Sequence, residues 1–474
     1  MAFNKTRLWA VLSAIPQKDQ KQVQRFVKGD SKAENSEIGV LLYTLFRYIN
    51  AQKCPSRPKL WAKIAHEEPY NAVKLRRTCS DLLHRVENWL ILQQLDSQVW
   101  EREKLLCSYF TKESSAKLGL FYQNATILAK KKYIYRNVTY YYEVLLEDEM
   151  NLALQLMVDT PIFDLQTVDN NLTVAFVLGK LKNSVFAYWG TLAGGKALED
   201  ILLKSIIPHI PDNEVLKANP SIQLYYHLYL LFVENKVEYF DVVKTELKAI
   251  TFLHRDELSD IYSMLENYIN MGIQRKIFTY SNLTAWYVQS DNQAVFTDDK
   301  GVIASTRLQG CINAHLFTAQ YDKALYFLKK YKNNIVEDER EDLYNLNLGH
   351  IYFYQKKYKQ ALRLIATISP KRPISYLLAQ RILLKTYFLE KEHDVIETAL
   401  DNFQHYLYTT KRTIPEHNRL GNLYFVKTLR RIEKAQSLNR PARQPLIKKI
   451  REVVEGPNFV SERVWLAEQL SAIL

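Results

Sequence analysis

The stretch "LGHIYFYQKKYKQALRLIATISPKRP", Leu348 to Pro373, carries apolar residues three or four apart on either side of a polar break and ends at a proline. That spacing predicts two amphipathic helices joined by a short turn. Its landmarks recur. Tyr358-Lys-Gln-Ala361 has counterparts in Tyr321-Asp-Lys-Ala324 and His393-Asp-Val-Ile396, at intervals of 37 and 35 residues. Leu348-Gly349-x-x-Tyr352 returns 72 residues later as Leu420-Gly421-x-x-Tyr424, which is two such intervals. A two-helix unit repeating at this period, with small residues where helices cross, is the signature of a helical solenoid.

The rest of the chain agrees. It has 474 residues, 47% of them apolar, and only 13 glycines and 14 prolines, too few for the turns that many short strands need. Residues 1–97 read as five helices over 6–15, 18–28, 36–51, 58–66 and 71–95. In the last of these Leu75, Leu82, Leu83, Val86, Trp89, Leu90 and Ile91 form one stripe. Residues 98–290 read as divergent, tyrosine-rich helical hairpins, "SIQLYYHLYLLFVENKVEYFDVVKTEL" among them, with a break at Glu234 to Lys236. The polar stretch "SDNQAVFTDDKGVIAS", 290–305, reads as an exposed loop or boundary. Residues 305–435 hold the countable repeats, and 436–474 a basic linker with capping helices. In the capping segment Val460, Val464, Trp465, Leu470 and Leu474 share one face behind Ser461 as cap. The expected fold is all-α: an elongated right-handed solenoid of paired antiparallel helices with a helical N-terminal region.

Leu348, Gly349, Tyr352, Ala361 and Pro373 stand at the spacings of the tetratricopeptide repeat, which the region resembles. The neighbouring units keep some of these positions and lose others. The whole chain also resembles an uncharacterised family of bacterial all-helical proteins of about this length. That resemblance rests on "PYNAVKLRRTCSDLLHRVENWLI", "TVDNNLTVAFVLGKLKNSVFAYW", "LENYINMGI" and "NFQHYLYTTKRTIP". It implies a fold and brings no activity with it.

Motifs for chemistry are sparse. "GTLAGGKA", 190–197, fits the phosphate-binding loop up to Ala197, which replaces the serine or threonine that would hold magnesium. The segment before it runs at helical rather than strand length, so a turn between helices is expected. The ten histidines include no pair at metal-ligand spacing on a helix, and no serine or cysteine sits in a nucleophile context. The four cysteines, Cys54, Cys79, Cys107 and Cys311, lack a Cys-x-x-Cys pair and read as reduced thiols. Neither catalysis, a metal nor a cofactor is expected. Behind Lys5 and Arg7, "LWAVLSAI" reads as an amphipathic helix stopped by Pro16 rather than as a signal peptide. No apolar run approaches the ~18 residues of a membrane span. A cytoplasmic protein is expected.

Binding is where the residues point. The tetratricopeptide frame implies a concave face lined by the first helix of each unit. With units starting near Ser305, Asp342, Leu377 and Ile414, its fifth positions are Gln309, Leu346, Arg381 and Asn418. Its ninth positions are Asn313, His350, Lys385 and Asn422. Amides there suit an extended peptide backbone, and Arg381 with Lys385, one turn apart, suits a carboxylate. A protein or peptide partner, acidic ones included, is therefore expected for an adaptor or scaffold. The alternative is a nucleic-acid-binding regulator. The net charge is +13, with 16 basic against 9 acidic residues in 1–100 and 10 against 1 in 419–451. The segment 56–86 has a helix-turn-helix outline that places Lys74, Arg76, Arg77 and Arg85 on its second helix, while Arg430 and Arg431 lie in the basic tract.

Overall fold

Every regular element among the described residues is helical. The computed structural model describes residues 3–29, 37–65, 68–97, 99–112, 116–131, 134–156, 164–192, 194–196, 198 and 200–473. The chain divides into two compact units, 1–243 and 244–474.

The first unit opens with α1 (Arg7–Ala14), α2 (Gln20–Gly29), α3 (Glu37–Asn50), α4 (Arg57–Ile64) and α5 (Ala72–Ser97), close to the expected bounds. Thr6 caps α1 by accepting from the Trp9 N–H, and Asn71 caps α5 by accepting from Val73 and Lys74. One core holds them together, with Leu12, Val23, Leu45, Leu60, Trp61 and Val86 at its centre. The Trp61 indole donates to the carbonyls of Glu68 and Pro69, which braces the chain between α4 and α5. The buried stripe of α5 is narrower than expected. Leu75, Leu82, Val86 and Trp89 are buried, whereas Leu90 and Ile91 are exposed, because at about 100° per residue they turn off the face that Trp89 buries.

Then follow α6 (Val99–Lys112), α7 (Ala116–Lys131), α8 (Val138–Leu156), α9 (Leu165–Leu192), α10 (Ile201–Ile206), α11 (Glu214–Lys217) and α12 (Pro220–Phe232), and the division between the units falls within α13 (Tyr239–Ala249). Neighbours pack as pairs, α6 on α7, α8 on α9 and α9 on α12. Tyrosine hydroxyls reach neighbouring elements, as when the Tyr141 oxygen accepts from the Asn219 amide at 2.7 Å. The break before α13 turns through Asn235, which has φ of 53°.

The second unit contains α14 (Arg255–Gln274), α15 (Tyr280–Asn292), α16 (Ser305–Phe317), α17 (Tyr321–Lys330), α18 (Arg340–Tyr354), α19 (Tyr358–Ile365), α20 (Pro373–Glu390) and α21 (His393–Thr409). It ends with α22 (Glu416–Gln436), α23 (Arg440–Val454) and α24 (Arg463–Ala472). The recurring motif marks the first residue of α17, α19 and α21. In each case the residue two positions earlier, Ala319, Lys356 or Lys391, is left-handed, with φ of 55–60°. The next N–H then bonds five residues back, Gln320 to His315, Lys357 to Tyr352 and Glu392 to Tyr387, which closes the first helix of each hairpin. Ala324, Ala361 and Ile396 are fully buried where the second helix meets the first. Each of α16 and α18 packs on its own hairpin partner and on the first helix of the next hairpin.

Three expectations need correction. The stretch 290–305 is polar in composition but anchored, since Val295, Phe296 and Ile303 are buried and Arg255 and Arg307 grip its carbonyls. The residues around Pro441 to Pro445 are not a linker but the start of α23. Asn439 caps it, and Pro441 falls where a helix has no N–H to satisfy. Finally, α24 starts at Arg463 behind a left-handed Glu462, so Ser461 is no cap, Val464 is exposed and Leu466 takes the core position. Leu474 lies outside the described residues.

Candidate functional site

Six of the residues expected on a concave face line one cavity of the second unit: Gln309 and Asn313 from α16, His350 from α18, Arg381 from α20, and Asn418 and Asn422 from α22. Its volume is about 200 Å³, and its apolar wall comes from Phe317, Tyr354, Ile374, Leu377 and Leu378. A further cavity of about 330 Å³, lined by the first residues of α16 and α20, adjoins it and shares Gln309 and Ile374 with it. Leu346 and Lys385 are the exceptions. Leu346 is fully buried in the core with Ile365 and Ile382, because an apolar side chain at that position turns into the hairpins.

The positive end of the groove already holds a carboxylate, and it comes from the chain itself. Glu462 receives Arg381 Nε at 3.0 Å on Oε1 and Lys385 Nζ at 2.7 Å on Oε2. Lys385 is 2% exposed and lies against the faces of Phe353 and Trp465, beneath the cavity rather than in its wall. Arg381 spends a second donor on Asn422 Oδ1, while Asn422 Nδ2 donates to the Asn418 carbonyl. Burial alone would raise the Glu462 pKa, but Lys385 and Arg381 outweigh it and hold the carboxyl at about 2. His350 is pushed down to about 3 by burial and then by the Lys385 charge, so its ring is neutral at pH 7.

Gly421 explains how the segment carrying Glu462 comes so near. A Cβ there would lie 2.5 Å from the Phe459 ring, and the Ser461 N–H donates to the Gly421 carbonyl. Of the remaining polar groups, Asn313 Oδ1 and His350 Nδ1 are buried without a hydrogen-bond partner. Glu462 escaped the sequence reading because nothing local marks it, and its partners lie 77 and 81 residues earlier.

The alternative set of basic residues is less available than its count suggests. Lys74 pairs with Glu68 at 3.0 Å, and Arg85 donates to the Val27 carbonyl. Arg430 is held by Glu397, Asp401 and Gln404, and Arg431 is half-buried. Arg76 and Arg77 are exposed on the first turns of α5. The glycine-rich motif is no phosphate loop. Gly190 lies in the last turn of α9 and its carbonyl accepts from Gly195, so the segment follows the negative end of a helix dipole. Its final residue, Ala197, lies outside the described residues.

No cysteines among the described residues form a disulfide, and none of these residues group as metal ligands. No helix among them is long and apolar enough to cross a membrane. Compared with known proteins, the chain matches no family model and no curated protein.

Proposed function

We propose that the chain is a non-catalytic recognition protein, an adaptor or scaffold that holds a protein or peptide in a groove built by tetratricopeptide-like hairpins over residues 305–435. The reading rests above all on one observation: six polar side chains from four helices, spread from Gln309 to Asn422, converge on one cavity. The equal hairpin turns at Ala319, Lys356 and Lys391 support the repeat, and a repeat array uses such a surface for binding. Photo-crosslinking tests it. A benzoylphenylalanine replacing Phe317, which is 51% exposed at the groove, is expected to trap a discrete partner in the native cell. Gln309→Ala with Asn418→Ala is expected to abolish that adduct. An adduct unchanged by both substitutions would remove the groove from the reading.

A second reading, nucleic-acid binding through the first unit, is favoured by the exposed Arg76 and Arg77 beside a braced α4–α5 connection.

A further inference from the structure

The groove's cations are paired within the chain, with one positive charge in excess because Glu462 serves both Arg381 and Lys385. Arg381 and Glu462 both line the first cavity and pair with each other. Arg372 and Glu339 both line the second and are paired at 3.2 Å. The surplus charge, on Lys385, sits under two aromatic rings. An incoming anion therefore meets an ion pair, not a cation. To reach Lys385 and Arg381 it would have to expel a carboxylate tethered to the same chain, which competes at a high effective concentration.

What the wall leaves unengaged is neutral. No hydrogen bond is formed by the side chains of Gln309, Asn313 and Asn418 among the described residues, and Asn313 Oδ1 is buried as an acceptor with no donor. A primary amide offers one acceptor and two donors, the complement of a peptide group's N–H and C=O. Beside these amides lie Ile374, Leu377 and Leu378. From Ser305 to Phe317, at about 1.5 Å per helical residue, the part of α16 that lines the two cavities runs roughly 18 Å, the reach of about five extended residues.

Building on the groove reading, we propose that the partner is an uncharged, extended segment with apolar side chains, read through its backbone by Gln309, Asn313 and Asn418. An acidic segment is excluded because Glu462 occupies the carboxylate site.

The test uses the full chain with labelled isoleucine methyls and follows Ile374 by NMR. The probes are N-methylacetamide, the capped peptide acetyl-Leu-Ala-Leu-Ala-Leu-amide and sodium acetate at matched ionic strength. The peptide and N-methylacetamide are expected to shift the Ile374 methyl saturably, and acetate to leave it in place. Asn313→Ala is expected to weaken the peptide by about five- to tenfold, the loss of one hydrogen bond. In Glu462→Ala, acetate is expected to bind and to raise the melting temperature, which it does not do in the parent. Should Glu462→Ala fail to fold, Asn313→Ala with Glu462 intact carries the comparison. Acetate shifting Ile374 in the parent would overturn the proposal and leave the groove reading standing. No response to either amide probe would overturn both.

Discussion

An ammonium group with 2% exposure must find its counter-charge inside the protein, and Lys385 finds it in Glu462. Removing one partner of such a pair costs far more than the pair contributes, since the survivor is left charged and dry. Glu462→Ala is accordingly expected to lower stability by about 3–5 kcal/mol, read by denaturant unfolding. Adding Lys385→Met should recover most of that loss. A double variant as unstable as the single one would show that Lys385 is satisfied some other way. His350 sets the acid side. Its folded pKa of about 3 lies below its ordinary 6.5, so the unfolded chain binds the proton more readily. The stabilisation it gives is complete above pH 6.5 and is lost as pH falls toward 3. Glu462, depressed from 4.5 to about 2, adds loss in the same direction below pH 4.5. His350→Gln should therefore flatten the fall in stability between pH 6.5 and 4, by an amount on the order of 3 kcal/mol. Parallel pH profiles for parent and variant would refute this assignment.

At the scale of the element, the two Leu-Gly-x-x-Tyr copies behave differently. A Cβ at Gly349 would lie 2.9 Å from Ile365, which is buried at the α18–α19 crossing and has nowhere to move. A Cβ at Gly421 would meet Phe459, whose ring is 57% exposed and can swing away. Gly349→Ala is thus expected to destabilise by about 1–3 kcal/mol despite alanine's better helix propensity. Gly421→Ala should cost less, in the same thermal melts. The same elements show what a linear pattern can reveal. The recurrence of the motif at 37 and 35 residues was legible, whereas its position at the first residue of α17, α19 and α21 is a property of the fold. The left-handed residues in the turns before these helices were not legible, since alanine and lysine carry no conformational signal of the kind glycine does. Leu90, Ile91 and Val464 were misplaced for different reasons. Three consecutive helical residues, 89 to 91, cannot share one face, and the left-handed Glu462 shifts the start of α24 under Val464.

For the whole molecule, charge is the property that travels furthest beyond its sequence context. A net +13 left nucleic acid, an acidic protein or an anionic surface open as partners, yet Lys74, Arg85 and Arg430 are each tied to an acidic side chain or a carbonyl. If the first unit binds nucleic acid, Arg76 and Arg77 are exposed on the helix-turn-helix-like segment to do it. Arg76→Ala with Arg77→Ala should then lower the slope of log affinity against log salt by about 2. The polar groove positions were legible, because a helical frame projects side chains at fixed spacing: Gln309, Asn313, Arg381, Asn418 and Asn422 met at one cavity across more than a hundred residues. The chain's own occupant of the positive site was not, because a contact between positions 385 and 462 is a property of the folded unit.

That contact also imposes an order in time. Lys385 leaves the ribosome 77 residues ahead of Glu462. At about 5–20 residues per second this is a wait of roughly 4–15 s. Throughout that interval the inward face of α20 carries two cations with no carboxylate to meet them, and it cannot close away from water. In nascent chains of the second unit α20 should therefore close only once residues 460–473 have emerged, bringing Glu462 together with Val460, Leu466 and Leu470 of the same core.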